Sequence, residues 1–133
     1  MTRILLVDDE KKFLRILSES LPLFVPEFHV LTAENGMEAL KILERKGVDL
    51  VVTDLKMPKM DGFEFLAHVR ETHPAIPLIA MSSFINAEAE KRLRELGVTQ
   101  YLEKPLNLED LVKKILSESS GGSGSGSRTS QRL

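Results

Sequence analysis

The sequence predicts an α/β fold, a doubly wound sheet of five parallel strands with five helices covering its two faces. Two observations support this fold class. Short apolar runs alternate with amphipathic segments through residues 1–118. The strongest runs, such as residues 50–53, lack the polar alternation of a half-exposed strand, which is typical of strands covered on both faces. Repeated strand–helix units with short connections form right-handed crossovers and therefore parallel sheets.

Three apolar runs predict strands clearly, and two further runs show the same pattern more weakly. Residues 4–7, 50–53 and 78–81 are almost entirely apolar, and each run is followed directly by a polar residue. Residues 30–33 and 101–102 are less apolar or shorter versions of the same pattern. Between the runs, apolar residues recur at the spacing of one helical face, which predicts five amphipathic helices.

Single residues predict where two of the helices begin or end. The fourth helix, residues 87–96, is expected to end at Gly97, because glycine is favoured at the C′ position after a helix. Asn86 or Ser83 is expected to cap its beginning. The segment 22–26 contains two prolines. It is therefore expected to end the first helix and to form an apolar loop that packs over an end of the sheet.

The composition indicates one globular domain followed by a tail. The chain has 133 residues with no cysteine, which excludes disulfides and thiolate metal ligands. A net charge of −2 gives no reason to expect direct nucleic-acid binding by this domain. No apolar run approaches the ~20 residues that span a bilayer, and the N-terminus does not resemble an export signal, so we expect no membrane association and a cytoplasmic location. The glycine- and serine-rich residues 119–133 are expected to form a flexible linker or tail after the domain at residues 1–118.

Polar residues stand where four of the predicted strands end. Asp8 and Asp9 follow the first strand, Asp54 the third, Ser82 the fourth and Lys104 the fifth. Because ligands bind open α/β sheets outside the carboxyl ends of the strands, these side chains are expected to converge there. One polar residue at a strand end is ordinary turn chemistry, but this combination at four strand ends indicates a functional site.

The three acids predict a magnesium site. Carboxylates at one edge of a sheet repel one another and raise at least one pKa, and a divalent cation relieves that repulsion. Mg²⁺ takes oxygen ligands, whereas the absence of cysteine and the scatter of the three histidines argue against Zn²⁺. Magnesium, acids and a lysine are the components of phosphoryl transfer, in which an aspartate can act as nucleophile and form an acyl phosphate.

The chain resembles the receiver domain of bacterial two-component response regulators, including those of chemotaxis. The resemblance covers about residues 1–118 in five separated motifs of fitting order and spacing. It implies a flavodoxin-like sheet with the strand order 2-1-3-4-5. The matching segments are ILLVDDE at 4–10, NGMEAL at 35–40, DLKMPKMDG at 54–62, IAMSS at 79–83 and GVTQYLEKP at 97–105.

The resemblance implies a role for each polar residue. Asp54 is implied as the phosphoacceptor, which receives a phosphoryl group from a phosphohistidine of a sensor histidine kinase or phosphotransfer protein. Asp8 and Asp9 are implied to hold Mg²⁺ together with Asp54 and the backbone carbonyl of Lys56, and Lys104 to pair with the phosphoryl group. The domain is then a signalling switch and not an enzyme, beyond catalysing its own phosphorylation and slow autodephosphorylation.

The resemblance also implies how the switch works. Ser82 is implied to move toward the phosphoryl group and Tyr101 to turn inward behind it, which would remodel the face formed by the fourth helix, fifth strand and fifth helix. That face is expected to bind an output domain, a protein partner or a second copy in a homodimer. Lys56 and Phe84 are expected to tune the lifetime of the acyl phosphate, and our hypothesis is that Phe84 limits water access. The peptide bond before Pro105 is expected to be cis.

The sequence leaves three alternative functions to weigh. An aspartyl-nucleophile phosphohydrolase would be similar to the haloacid dehalogenases, but Lys56 stands where that family has its second acid. Flavin or nucleotide binding would need a phosphate-binding first loop, and the acids there would repel a phosphate. An interaction module that is not phosphorylated would not require the complete set of acids, hydroxyl and lysine.

Overall fold

Between residues 2 and 121, five strands alternate with five helices, and the strands form a doubly wound parallel sheet, as the sequence predicts. The computed structural model of the protein describes residues 2–121. All neighbouring strands are parallel, in the order β2-β1-β3-β4-β5, which confirms the fold class and the strand order. The elements are β1 (Thr2–Val7), α1 (Lys11–Phe24), β2 (Phe28–Ala33), α2 (Gly36–Arg45), β3 (Leu50–Asp54), α3 (Gly62–Thr72), β4 (Leu78–Ser82), α4 (Ala87–Glu95), β5 (Gln100–Glu103) and α5 (Leu108–Gly121).

The sheet separates two hydrophobic cores. Side chains alternate between the two faces of a strand, so consecutive residues of β1 belong to different cores. Ile4 and Leu6 pack with the buried residues of α1 and α5. Leu5 and Val7 pack with those of α2, α3 and α4. Because every residue of β3 and β4 is also buried, these strands read in the sequence as continuous apolar runs.

The segment after the first helix differs from the prediction. Residues 22–24 continue α1, with Pro22 inside the helix, and Leu23 and Phe24 are 82% and 49% exposed. The predicted apolar loop over the sheet was therefore wrong at these positions. Proline removes only one hydrogen bond so close to a helix end. The fully buried Leu21 anchors the last turn, and its carbonyl accepts a hydrogen bond from the N–H of Val25 at 3.0 Å.

The predicted boundaries of α4 are confirmed. Gly97 has a φ of 76°, and its N–H donates to the carbonyl of Arg94 at 2.9 Å. The N–H of Val98 donates to the carbonyl of Leu93 at 2.8 Å, which completes the Schellman arrangement at this helix end. Asn86, one of the two predicted caps, accepts a hydrogen bond from a backbone N–H in the first turn.

The last helix extends past the predicted domain boundary. The backbone of α5 stays helical to Gly121, three residues beyond residue 118. The remainder of the predicted tail, residues 122–133, lies outside the described residues. Among the helices of residues 2–121, none has the length and apolar character needed to cross a bilayer.

Gly62 allows α3 to begin in direct contact with the end of β3. Its N–H donates to the carbonyl of Leu55 at 2.9 Å. A Cβ at residue 62 would lie 2.3 Å from the carbonyl oxygen of Asp54 and 2.5 Å from the Cα of Leu55. Both are backbone atoms, which cannot move aside as the end of a flexible side chain can. Glycine at this position therefore supports the strand end that carries Asp54.

We expect Gly62→Ala to destabilise the fold even though alanine is the better helix former. The added methyl group must displace the backbone of β3, and overpacking of this kind costs about 1–3 kcal/mol. Urea unfolding followed by circular dichroism measures the change. Gly47→Ala is the matched control, because a Cβ there would approach Arg3 Nη1 no closer than 4.0 Å. Equal unfolding midpoints for the two variants would contradict the argument.

Candidate functional site

Three carboxylates meet at the carboxyl edge of the sheet because β1 and β3 are neighbours. Val7 is in register with Thr53, so the residues that follow them, Asp8 and Asp54, lie side by side. One carboxylate oxygen from each of Asp8, Asp9 and Asp54 lies within 4.8 Å of the others. The structure therefore brings together the three acids that the sequence singles out.

Lys104 reaches into this cluster from the end of β5. Its Nζ lies 2.7 Å from Asp8 Oδ2, 3.5 Å from Asp54 Oδ2 and 3.8 Å from Glu10 Oε1. The backbone N–H of Lys104 donates to the carbonyl of Ser82 at 2.8 Å, which fixes the segment that carries the side chain. Asp8 is held from a second direction, since its Oδ1 accepts a hydrogen bond from the backbone N–H of Glu10 at 2.9 Å.

Burial and charge perturb the two groups at the centre of the cluster. Burial, followed by the charge of Asp8, raises the pKa of Asp54 above its ordinary value, and the opposing attraction of Lys104 does not cancel this. Burial alone would lower the pKa of Lys104. The hydrogen bond to Asp8 and the charge of Asp54 outweigh it, so the pKa of Lys104 lies above its ordinary value. The site is therefore short of positive charge.

The donor set fits a hard divalent cation. The cluster consists of carboxylates alone, with Asp8 and Asp54 buried and Asp9 exposed. Oxygen ligands on one side and open solvent on the other are the environment in which Mg²⁺ keeps several of its waters. A cation of this kind would also offset the repulsion that raises the pKa of Asp54.

Ser82 ends β4 at the same edge of the sheet, but its hydroxyl is bonded within its own turn. It donates to the carbonyl of Phe84 at 3.0 Å and accepts from the N–H of Phe84 at 3.2 Å. The side chain is nearly fully buried. The end of β4 therefore places Ser82 at the edge that carries the acids. The backbone of Phe84, in the loop that follows, holds its hydroxyl in position.

Lys56 and Phe84 both line a groove that also includes Leu55 and Ser82. Both side chains are exposed, Phe84 by 65%. The backbone N–H of Lys56 donates to Asp54 Oδ1 at 3.5 Å. The groove is lined by Leu55, Lys56, Phe63, Ser82, Phe84, Asn86, Glu88, Ala89 and Arg92.

Tyr101 is half-buried on β5 and faces α4. Its hydroxyl donates a hydrogen bond to the carboxylate of Glu90. This bond, followed by burial, raises the pKa of Tyr101. Glu90, in the first turn of α4, is therefore the partner of Tyr101.

Two further features complete the edge. The Lys104–Pro105 peptide bond is cis, the isomer that the family resemblance implies. Glu10 and Phe13, which the sequence analysis did not single out as site residues, both approach Lys104. Their position within five residues of Asp8, at the start of α1, is a signal that could have indicated them. No comparable signal marks Glu90.

Comparison with known proteins supports the family resemblance that the sequence motifs indicate. Residues 4–116 match the family model for the response regulator receiver domain. The chain is 41% identical over 118 residues to the transcriptional regulatory protein CpxR of Klebsiella pneumoniae, a match that covers 86% of this chain and 48% of CpxR. The chain spans between about a quarter and a half of the length of the regulatory proteins it matches.

Solved structures of similar proteins have the same fold. The chemotaxis protein CheY4 of Vibrio cholerae is 30% identical with a TM-score of 0.80, over 87% of this chain and 97% of CheY4. The response regulator TrrA of Thermotoga maritima, solved in complex with Mg²⁺-BeF, is 30% identical with a TM-score of 0.76, over 89% of this chain and 99% of TrrA.

We expect Asp54→Asn to increase stability at neutral pH when a chelator removes divalent cations. The folded state holds the proton of Asp54 more tightly than the unfolded state does, so stability falls as pH rises from 3.8 through the raised pKa. Asparagine avoids this loss, while Lys104 keeps its closer partner Asp8. The advantage is full above the folded pKa of Asp54 and disappears below 3.8.

Urea unfolding midpoints of both proteins across this pH range measure the effect. Glu44→Gln, at an exposed position of α2, removes one negative charge outside the cluster and is expected to leave the midpoint unchanged. A variant Asp54→Asn that is less stable than the parent at neutral pH would show that attraction to Lys104 outweighs burial and repulsion.

Proposed function

The chain belongs to the response regulator receiver domain family, and from this premise we propose that it is a phosphorylation-dependent switch with Asp54 as the phosphoacceptor. One observation carries the proposal. Asp8 and Asp54 both lie within 4.8 Å of the other acids and contact Lys104, but Asp54, at 3.5 Å from the ammonium against 2.7 Å for Asp8, is the less tightly engaged of the two. Asp8 is fully buried and engaged by Lys104 and by the N–H of Glu10, and Asp9 is exposed.

The proposed chemistry is an in-line transfer to the Asp54 carboxylate. A carboxylate oxygen of Asp54 attacks phosphorus, the O–P bond forms, and the P–N bond to the donor imidazole breaks. The leaving imidazole nitrogen takes up a proton. The donor is proposed to be a phosphohistidine on a sensor histidine kinase or phosphotransfer protein, in line with the family assignment.

The neighbours of Asp54 have separate proposed roles. Asp8, Asp9, Asp54 and the backbone carbonyl of Lys56 would hold Mg²⁺, which when bound neutralises charge on the phosphoryl oxygens. Lys104 would exchange its contact with Asp54 for one with a phosphoryl oxygen, because the acyl phosphate carries about one more negative charge than the carboxylate it replaces.

The proposed switch transmits this charge change through Ser82 and Tyr101. The Ser82 hydroxyl would give up its bond to the carbonyl of Phe84 and donate to a phosphoryl oxygen. Charge-assisted bonds of this kind contribute about 1.5–3 kcal/mol each, enough to shift a two-state equilibrium. Tyr101 would leave Glu90 and turn inward, which changes the face of α4, β5 and α5.

The partners and setting of the domain are also proposed. The α4, β5 and α5 face would bind an output domain, a protein partner or a second copy in a homodimer, in the cytoplasm. The domain would comprise residues 1–118 together with the last residues of α5, and the linker or tail would follow that helix. Its own catalysis would be limited to taking up the phosphoryl group and losing it slowly. The exposed Lys56 argues against a true phosphohydrolase, because no acid stands two residues after Asp54.

We expect acetyl phosphate with Mg²⁺ to phosphorylate the chain on Asp54. Intact-protein mass spectrometry should show the gain of one phosphoryl group, lost in Asp54→Asn and on chelation of Mg²⁺. Asp110→Asn, an exposed acid in the first turn of α5, is the matched control and should be phosphorylated normally. Phosphorylation of Asp54→Asn to the parent level would contradict the assignment. Continuous turnover of small phosphate esters would favour the hydrolase instead.

We expect Phe84→Ala to shorten the lifetime of the acyl phosphate. The phenyl ring shares the groove with Ser82 and Lys56, and its removal opens a path for water toward Asp54. The half-life is measured by mass spectrometry after removal of the donor. Phe24→Ala, an exposed phenylalanine at the far end of α1, is the control. An unchanged half-life in Phe84→Ala would rule out the shielding role.

A further inference from the structure

The ammonium of Lys104 lies over the ring of Phe13 as well as beside the acids. The Nζ of Lys104 lies 4.7 Å from the centroid of the Phe13 ring. Phe13 is in the first turn of α1 and is half-buried beside the core of Leu14 and Leu17. The side chain of Lys104 is only 16% exposed. The ammonium therefore has both carboxylates and an aromatic face as neighbours.

Once a cation binds, the carboxylates attract the Lys104 ammonium less strongly. Asp8 and Asp54, its two closest partners, are the same carboxylates that form the candidate cation site. A divalent cation attracts their charge and repels the ammonium. The ring face of Phe13 is a partner that no cation competes for, because a ring quadrupole attracts an ammonium without a net charge of its own.

The Lys104 side chain has two alternatives to its position beside Asp54, and the contact with Phe13 opposes both. Glu10 is exposed and lies 3.8 Å from Nζ, so it can draw the ammonium outward. Glu10 also borders a cavity of about 540 Å³, which is lined in addition by Phe13, Lys104, Pro105 and Leu106. Without the ring, the lysine side chain could move into this cavity and pair with Glu10 instead of Asp54.

We propose that Phe13 is a positioning residue for phosphorylation: its ring face keeps the Lys104 ammonium directed at Asp54 when a divalent cation occupies the acids. The inference rests on the proposed function, since it assumes that Lys104 pairs with the incoming phosphoryl group. It extends the site to α1, an element that contributes none of the residues that bind the phosphoryl group or the metal.

A purely structural role for Phe13 predicts different behaviour. If the ring only fills space, leucine should serve nearly as well and tyrosine should offer no particular advantage. If the ring face holds the ammonium, tyrosine should substitute for phenylalanine, because it keeps the same face, and leucine should not.

Proton NMR tests the contact without any phosphate donor. Protons above an aromatic ring resonate upfield, so the ε-methylene protons of Lys104 should be shifted upfield in the parent chain and in Phe13→Tyr, with and without Mg²⁺. The shift should be lost in Phe13→Leu. Lys104→Arg identifies the signal by its disappearance. Unshifted ε-methylene protons in the parent chain would overturn the proposal.

The rate of phosphorylation by acetyl phosphate in Mg²⁺ tests the consequence. We expect Phe13→Leu to be slower by about fivefold, the factor that one partly desolvated cation–π contact contributes, and Phe13→Tyr to be within about twofold of the parent chain. Phe24→Leu makes the same substitution at the exposed far end of α1 and should leave the rate unchanged. Circular dichroism confirms that each variant is folded.

The outcomes for Phe13 and for Asp54 can be distinguished. A parent-like rate in Phe13→Leu, or a rate in Phe13→Tyr as low as in Phe13→Leu, would overturn the positioning role while phosphorylation of Asp54 still stands. Absence of any phosphoryl gain in the parent chain would refute the proposed function, and the NMR shift would then report only a contact in the resting site.

Discussion

Repulsion between carboxylates at adjacent strand ends is the constraint on which the site depends. Asp8 and Asp54 lie side by side because β1 and β3 are paired in register, and both are buried. Lys104 stabilises this arrangement by contacting both, yet the pKa of Asp54 remains raised. The carboxyl edge of the sheet therefore carries negative charge that Lys104 does not fully compensate. Binding of a cation, or a change of charge on Asp54, alters this balance directly.

The rest of the structure holds that edge rigid. Residues 4–7 of β1 and all of β3 and β4 are buried between two helical layers, so the ends of these strands are packed on both faces. Gly62 lets α3 begin against the backbone of Asp54, and the N–H of Lys104 is bonded to the carbonyl of Ser82. The bonds of Ser82 to Phe84 and of Tyr101 to Glu90 are contacts of single side chains, and the proposed switch needs only these contacts to change.

Sequence reasoning was most successful where a pattern reflects local physics. Buried parallel strands read as apolar runs, and the left-handed φ at Gly97 follows from a glycine after a helical pattern. It was wrong at residues 22–24, where the buried Leu21 anchors a final helical turn that contains a proline. It missed Glu90 because an exposed-looking helix position gives no indication of a tyrosine on the neighbouring strand. It predicted that Phe84 tunes the lifetime of the acyl phosphate, which stays a prediction, and it did not indicate that the ring is 65% exposed.

The alternation of strands and helices, and the residues at the strand ends, could be predicted from the chain alone. Periodicity and chain order are properties of neighbouring residues, so both can be read along the sequence. Which strand ends adjoin, how deeply Asp8 and Asp54 are buried, and how Lys104 contacts Asp8, Asp54, Glu10 and the Phe13 ring could be learned from the folded chain alone. Those facts depend on distances between residues up to 96 positions apart, which packing alone sets.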